Sequence, residues 1–182
     1  GRIKSPRLSV GDAFSSYDRA AVRYTFAQQE NTKPMTHNYQ LTAAEFSWEI
    51  SDGKRIRAMG FNGSVPGPTL TASKGDTVRV TVKNELNEAT VVHWHGIRLP
   101  SAMDGTDDVQ RPILPGEEFT YQFVVPDAGT FWYHSHQNET YQMERGMYGA
   151  LVVEEETGLE VDAERVLLID DMKLDANNEF TK

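Results

Sequence analysis

Strict alternation of apolar and polar residues is the feature that most limits the folds open to this chain. Along Thr77–Lys83, each of Val78, Val80 and Val82 is followed by a polar residue, and Glu118–Val124 repeats the pattern. Side chains on a strand point to opposite faces in turn, so this pattern buries one face and exposes the other. Both segments are therefore predicted to be half-buried β-strands, which are typical of antiparallel sheets.

Further segments with strand-like composition follow from about residue 37 onward. They are Leu41–Ile50, Ile56–Phe61, Thr90–His95, Thr130–Ser135 and Gly149–Glu154. Short turn motifs rich in glycine, proline and aspartate separate the predicted strands. These motifs are Asp52-Gly53, Pro66-Gly67-Pro68, Lys74-Gly75-Asp76, Pro115-Gly116 and Asp127-Ala128-Gly129. Many short strands at such spacing indicate an all-β sandwich or barrel.

The length of 182 residues is enough for one domain with extensions at both ends. Residues 1–36 are predicted to be an N-terminal extension, either an irregular arm or a short helix over Ala13–Phe26. Residues 37–158 form the predicted domain. Residues 159–182 are predicted to be a polar linker and then, at Val166–Ile169, the first strand of a following domain that we expect to be missing.

Charge and cysteine content exclude several classes of partner and site. The net charge of −9 argues against nucleic acid, because phosphate binding needs clustered Lys and Arg. No apolar run approaches the roughly 20 residues of a membrane-spanning helix, so we expect no membrane span. The absence of cysteine excludes disulfides and thiolate metal ligands, and it leaves the redox compartment undetermined.

Four of the five histidines occur in two His-x-His pairs. His93 and His95 form the first pair, His134 and His136 form the second, and His37 stands alone. Residues i and i+2 of a strand share a face, so each pair presents two imidazoles side by side. A single histidine on a strand is most often structural, but two such pairs on predicted strands are very improbable by chance. If the two strands are neighbours, all four rings converge on a metal site.

Imidazole ligands narrow the identity of the metal without settling it. They suit copper, zinc, iron or nickel, and affinity alone favours Cu(II). Catalytic zinc sites often combine three protein ligands with an open position, and an i, i+2 pair can hold one ion or serve two. The residues therefore predict a transition-metal site with copper preferred.

Four segments resemble the first cupredoxin domain of multicopper oxidases, a family that includes laccases, ascorbate oxidase and bacterial copper-resistance oxidases. The segments are Phe61–Leu70, His93-Trp94-His95-Gly96, Phe131–His136 and Tyr148–Glu154. The resemblance covers roughly residues 40–155 of the sequence. It implies a cupredoxin-like Greek-key β-sandwich, which would be domain 1, over residues 37–158.

The same resemblance implies a role for each predicted site residue. In this family, eight histidines hold three coppers that reduce O₂ to water. The resemblance implies that His93 binds the type 2 copper, that His95 and His134 share one type 3 copper, and that His136 binds the other. Asp104 falls where the family places an acidic residue beside the cluster, and its implied role is to orient water and relay protons.

This sequence also departs from the family pattern. A type 1 copper site, which collects electrons from the substrate, needs a Cys thiolate, and the chain has none. The other cluster ligands are expected from missing C-terminal cupredoxin domains or from another chain, and an exposed half-site favours association, including a homo-oligomer. Copper nitrite reductases, with a different histidine pattern and a cysteine in their first domain, fit poorly. The family implies a periplasmic or otherwise exported protein.

The predicted function is that of the N-terminal portion of a multicopper oxidase, which couples one-electron substrate oxidation to four-electron reduction of O₂. Alone, the chain is expected to be incomplete and inactive. Two alternatives stay open: a non-catalytic copper-binding or delivery module, and an interaction domain with vestigial histidines. The reducing substrate is not predicted, because the type 1 site and its surroundings determine it in this family.

Overall fold

The computed structural model describes residues 33–158, 161–177 and 179–181, and the fold lies within the unit Pro34–Lys182. These residues contain eight strands. The strands are β1 (Thr36–Ser51), β2 (Lys54–Phe61), β3 (Leu70–Ser73), β4 (Thr77–Asn84), β5 (Val92–His95), β6 (Glu118–Val124), β7 (Gly129–Ser135) and β8 (Tyr148–Glu154).

Helical structure is limited to two short pieces in the described residues. A 3₁₀ turn spans Ser101–Met103, and the helix α1 spans Glu139–Met143. Within this part of the chain, no helix has the length and apolar character needed to cross a membrane. The helix predicted over Ala13–Phe26 lies outside the described residues, as does most of the predicted extension over residues 1–36.

The strands form two four-stranded sheets. The first sheet has the order β2-β1-β4-β6, and the second has the order β3-β8-β7-β5. β1 pairs with β4 in parallel, and so does β3 with β8. The other four pairings are antiparallel. The prediction of an all-β sandwich is confirmed.

Alternation along the strands determines which side chains fill the space between the sheets. Val78, Val80 and Val82 of β4 have no exposed surface. Burial of each contributes about 1.5–3 kcal/mol to stability. Trp94 of β5 and Tyr133 of β7 belong to the same core cluster. Because these two aromatic residues point inward, the residues on either side of them point to the outer face of the second sheet.

The apolar run Val166–Ile169 forms no ladder with any described strand. It lines a groove of about 410 Å³ against the second sheet. Beside the run, the hydroxyl of Tyr148 donates a hydrogen bond to the carboxylate of Asp170 at 2.7 Å. Since a strand requires a partner for its backbone hydrogen bonds, the linker and first strand of a following domain that are predicted over residues 159–182 stay a prediction.

A buried carboxylate ties the start of β1 to the turn before β4. Asp76 accepts hydrogen bonds from the backbone N–H groups of Met35, at 2.8 Å, and Ser73, at 3.0 Å. Its Oδ2 also lies 2.7 Å from Nε2 of His37. Burial acts to raise the pKa of Asp76, but these hydrogen bonds outweigh it, so the pKa lies below its ordinary value. His37 is therefore held by Asp76, apart from the His-x-His pairs.

Replacing Asp76 with alanine is expected to lower the free energy of unfolding by about 1–3 kcal/mol near pH 7, because the partly buried hydrogen bonds from the N–H groups of Met35 and Ser73 lose their acceptor. The folded pKa of Asp76 is lowered, so its contribution is complete above the unfolded value of about 3.9 and is lost as pH falls through the folded pKa. Urea unfolding at several pH values measures this dependence of stability on pH. The gap between wild type and Asp76→Ala should stay constant above about pH 5 and shrink below about pH 4. An equal loss in Asp52→Ala, at an exposed turn, would contradict this account.

Candidate metal centre

Two neighbouring strands bring the His-x-His pairs together. β5 and β7 pair in antiparallel fashion, with His93 directly opposite His134. The ring centroid of His93 lies 5.5 Å from that of His95, 5.4 Å from that of His134 and 5.5 Å from that of His136. The structure therefore gathers all four histidines of the predicted site on one face of the second sheet. His37, as expected, is not among them.

Three of the four histidines bring ring nitrogens together in one cluster that could hold metal. Such nitrogens of His93, His95 and His134 all lie within 4.8 Å of one another. Nδ1 of His95 lies 3.3 Å from Nε2 of His134. Two nitrogens that each bind one ion at about 2 Å, at a near-tetrahedral angle, stand roughly 3.3 Å apart. This spacing fits two imidazoles that share an ion. His136 lies farther out, with its ring 6.2 Å from that of His134.

Backbone carbonyl groups orient two of the rings. Nδ1 of His93 lies 2.8 Å from the carbonyl oxygen of Asp104, and Nδ1 of His134 lies 2.9 Å from that of Ser135. A carbonyl oxygen only accepts hydrogen bonds, so Nδ1 carries the hydrogen in both rings. Nε2 of each ring then keeps its lone pair for a metal. His95 differs, because its Nδ1 is the nitrogen that faces His134.

The environment of His134 favours the neutral ring that a metal requires. Its side chain is 2% exposed. Burial lowers the pKa of His134 below its ordinary value, and the nearby His93 and His95 lower it further against the opposing effect of the Ser135 carbonyl. The ring therefore remains uncharged near neutral pH, with a lone pair on Nε2.

An aromatic side chain contacts both His95 and His134. The ring of Trp132 stacks on that of His134 with centroids 4.2 Å apart, and on that of His95 with centroids 4.8 Å apart. Trp132 and His134 are two residues apart on β7, and Trp132 lies opposite His95 in the ladder. This contact restricts the orientations open to both imidazoles.

The loop after β5 carries the predicted acidic residue to the cluster. Oδ2 of Asp104 lies 3.5 Å from Nδ1 of His93, in addition to the backbone contact. Gly105 has φ of +77°, and a Cβ there would stand 1.7 Å from the carbonyl oxygen of Val92. Glycine at this position lets the loop lie directly against β5. That close approach holds Asp104 beside His93.

Sequence reasoning missed a buried polar network between the two histidine strands. Gln142 of α1 has no exposed surface. Its Oε1 accepts hydrogen bonds from Ser135, at 2.5 Å, and Thr90, at 2.9 Å, while its Nε2 donates to Glu88 and the carbonyl of Ala89. Ser135 is the middle residue of the second His-x-His pair. The network therefore fixes the segment between His134 and His136, but its members are too far apart in sequence for a local pattern to show it.

The fold and the site together define an all-β domain with a cluster of imidazoles that could hold metal. The comparisons with known proteins extend this to a family. The sequence model of the multicopper oxidase family matches residues 42–158, and the chain belongs to that family. The family membership that the four motifs predict is thus confirmed. The cupredoxin-like class of the sandwich is confirmed with it.

Individual relatives agree with this assignment. Copper resistance protein A of Pseudomonas syringae pv. tomato is 42% identical over 140 residues, covering 72% of this chain and 23% of that protein. L-ascorbate oxidase of Nicotiana tabacum is 44% identical over 143 residues, covering 69% and 24%. Among solved structures, Lac15 from a marine microbial metagenome has a TM-score of 0.73 at 39% identity, covering 79% of this chain and 39% of that one. The chain spans about a quarter of the length of these curated relatives.

Proposed function

We propose that this chain supplies four histidine ligands to the oxygen-reducing copper cluster of a multicopper oxidase. The observation that carries the proposal is the separation of 3.3 Å between Nδ1 of His95 and Nε2 of His134, on two paired strands. Neutral imidazoles are ligands that copper accepts readily. When bound, the copper ions supply the redox chemistry that reduces O₂ to water.

Each histidine takes a separate part in this proposal. His95 and His134 share one type 3 copper, through the two nitrogens that face each other. His93 binds the type 2 copper through Nε2, since its Nδ1 is occupied by the Asp104 carbonyl. His136, whose ring lies near that of His93 but farther from that of His134, binds the second type 3 copper. Membership of the family supports this division.

Asp104 is proposed to hold and pass protons at the edge of the cluster. Its carboxylate is 35% exposed and lies 3.5 Å from Nδ1 of His93, so it contacts both solvent and the site. Reduction of O₂ to water consumes protons, and a partly exposed carboxylate in this position can take them from solvent and orient a water molecule. Its backbone carbonyl separately fixes the ring of His93.

The remaining components are proposed to come from outside these 182 residues. The chain contains no cysteine, so the type 1 copper that accepts electrons from the reducing substrate belongs to a further cupredoxin domain or to another chain. The same source supplies the other cluster ligands. By analogy with the family, the protein is exported, to the periplasm or beyond.

The test uses the gene product that contains this chain. Purified after copper loading, it is expected to hold a copper cluster and to consume O₂ when given a phenol or Cu(I) as reductant. Asp104→Asn is expected to slow O₂ uptake by about 10²–10⁴-fold with copper content unchanged. Asp108→Asn, an exposed carboxylate on the same loop, is the matched control and should behave as wild type.

Two outcomes distinguish the alternatives. A protein that binds no copper would refute the proposal and leave a β-sandwich with vestigial histidines. A protein that binds copper stoichiometrically but consumes no O₂ with either reductant would favour a copper-binding or delivery module.

A further inference from the structure

One histidine of the cluster has a buried ring nitrogen without a partner. Nδ1 of His136 is inaccessible to solvent, and in the described part of the chain it has no hydrogen-bond partner. The corresponding nitrogens of His93 and His134 are satisfied by backbone carbonyl groups at 2.8 and 2.9 Å. Leaving such a group unpaired costs about 1–3 kcal/mol, so an acceptor is expected nearby.

The acceptor in position is the carboxylate of Asp107. Its Oδ1 lies 3.7 Å from Nδ1 of His136, and its side chain is 52% exposed. A hydrogen bond from a ring N–H to a carboxylate spans about 2.7–2.9 Å, so a movement of roughly 1 Å at the carboxylate closes the gap.

The backbone beneath Asp107 is fixed by the fold. The carbonyl of Thr106 accepts hydrogen bonds from the N–H groups of Val109 and Gln110, which closes a turn around Asp107. The side chain of Gln110 is buried and donates to the hydroxyl of Tyr121 at 3.1 Å. The turn is therefore anchored to the core, and only the side chain of Asp107 has to move.

We propose that Asp107 is a positioning residue for His136, accepting the hydrogen on Nδ1 and so leaving Nε2 free to bind metal. This proposal rests on the proposed function, which gives His136 its role as a ligand. Histidines that bind metals commonly donate their other ring N–H to a carboxylate or a carbonyl group, and these contacts set the tautomer and orientation of the ring. The same loop thus serves both strands, with Asp104 beside His93 on β5 and Asp107 beside His136 after β7.

The test measures the ring tautomer directly in the copper-free 182-residue chain. Long-range ¹⁵N–¹H correlation spectra of the imidazoles, near pH 8, report which nitrogen carries the hydrogen. His136 is expected in the Nδ1–H form in wild type and in Asp107→Glu, which keeps a carboxylate. In Asp107→Ala the Nε2–H form, which an unconstrained neutral imidazole prefers, should predominate. His93 and His134 should remain in the Nδ1–H form in every variant, as should His136 in the control Asp108→Ala.

Copper titration adds a second readout. Asp107→Ala is expected to weaken Cu(II) binding by about 10–100-fold, whereas Asp107→Glu and Asp108→Ala should bind as wild type does. An Nε2–H form in wild type, or an unchanged tautomer in Asp107→Ala, would overturn the role of Asp107. If the gene product that contains this chain binds no copper, the proposed function fails instead, and the tautomer spectra still decide whether Asp107 orients the ring.

Discussion

Replacing Gly105 with alanine is expected to destabilise the protein by about 3 kcal/mol or more and to weaken copper binding. The new Cβ would stand 1.7 Å from the carbonyl oxygen and 2.5 Å from the carbonyl carbon of Val92. Both are backbone atoms of β5, so no side chain can turn aside to make room. The loop must lift from the strand, and the contact between Asp104 and His93 is then lost. Urea unfolding and Cu(II) titration measure the two effects.

A glycine elsewhere in the same loop provides the control for backbone conformation. Gly116 has φ of +83°, close to the +77° of Gly105, but a Cβ there meets nothing within 4 Å. Gly116→Ala should therefore cost only the conformational strain of about 1–2 kcal/mol and leave copper binding unchanged. If both variants lose equal stability, the close approach of Gly105 to β5 does not contribute to the destabilisation.

Substituting His95 or His134 with alanine is expected to remove the tightest copper bound by this chain. The two nitrogens, 3.3 Å apart, are proposed to hold the same ion, so either substitution removes one of the two imidazoles that hold it. The loss in Cu(II) affinity should exceed the roughly 10–100-fold loss that follows removal of a residue that only orients a metal ligand. Competition titration with a chelator of known affinity measures it.

The double variant separates a shared ion from two independent ones. If His95 and His134 bind the same ion, His95→Ala combined with His134→Ala should lose little more affinity than either single variant. His37→Gln removes the histidine outside the two His-x-His pairs but keeps a donor for Asp76, and it should bind copper as wild type does. Fully additive losses in the double variant would show that the two histidines bind separate ions.

Local sequence patterns predicted the strands with the clearest alternation and missed those defined by distant partners. β6 matches the predicted Glu118–Val124, because each of its faces has a consistent environment. β3 was not predicted: its four residues, Leu70–Ser73, are too few for a pattern, and it is a strand only because it pairs with β8 about 80 residues later. β1 likewise begins at Thr36 rather than Leu41, since its first residues pair with β4.

The same distinction between local patterns and distant contacts applies to the candidate metal centre. The His-x-His spacing placed two imidazoles on one face of each strand, and this depends only on the period of a strand. The partners that orient the rings could not be predicted in this way. Gln142 reaches Thr90 across 52 positions of sequence, and Asp107 reaches His136 across a loop that no short motif marks. Such contacts depend on the packed structure, which local periodicity does not encode.

The position of β5 at the edge of the second sheet has a consequence for the order of assembly. β5 has four residues and, among the described strands, pairs only with β7; His95 lies 39 positions from His134. In the unfolded chain, the entropy of closing that segment keeps the two imidazoles apart. An ion held by both imidazoles would therefore bind only after β5 has paired with β7, and it would then slow the fraying of that edge. Metal loading should slow hydrogen exchange of the β5 amides before it changes exchange elsewhere in the sheet.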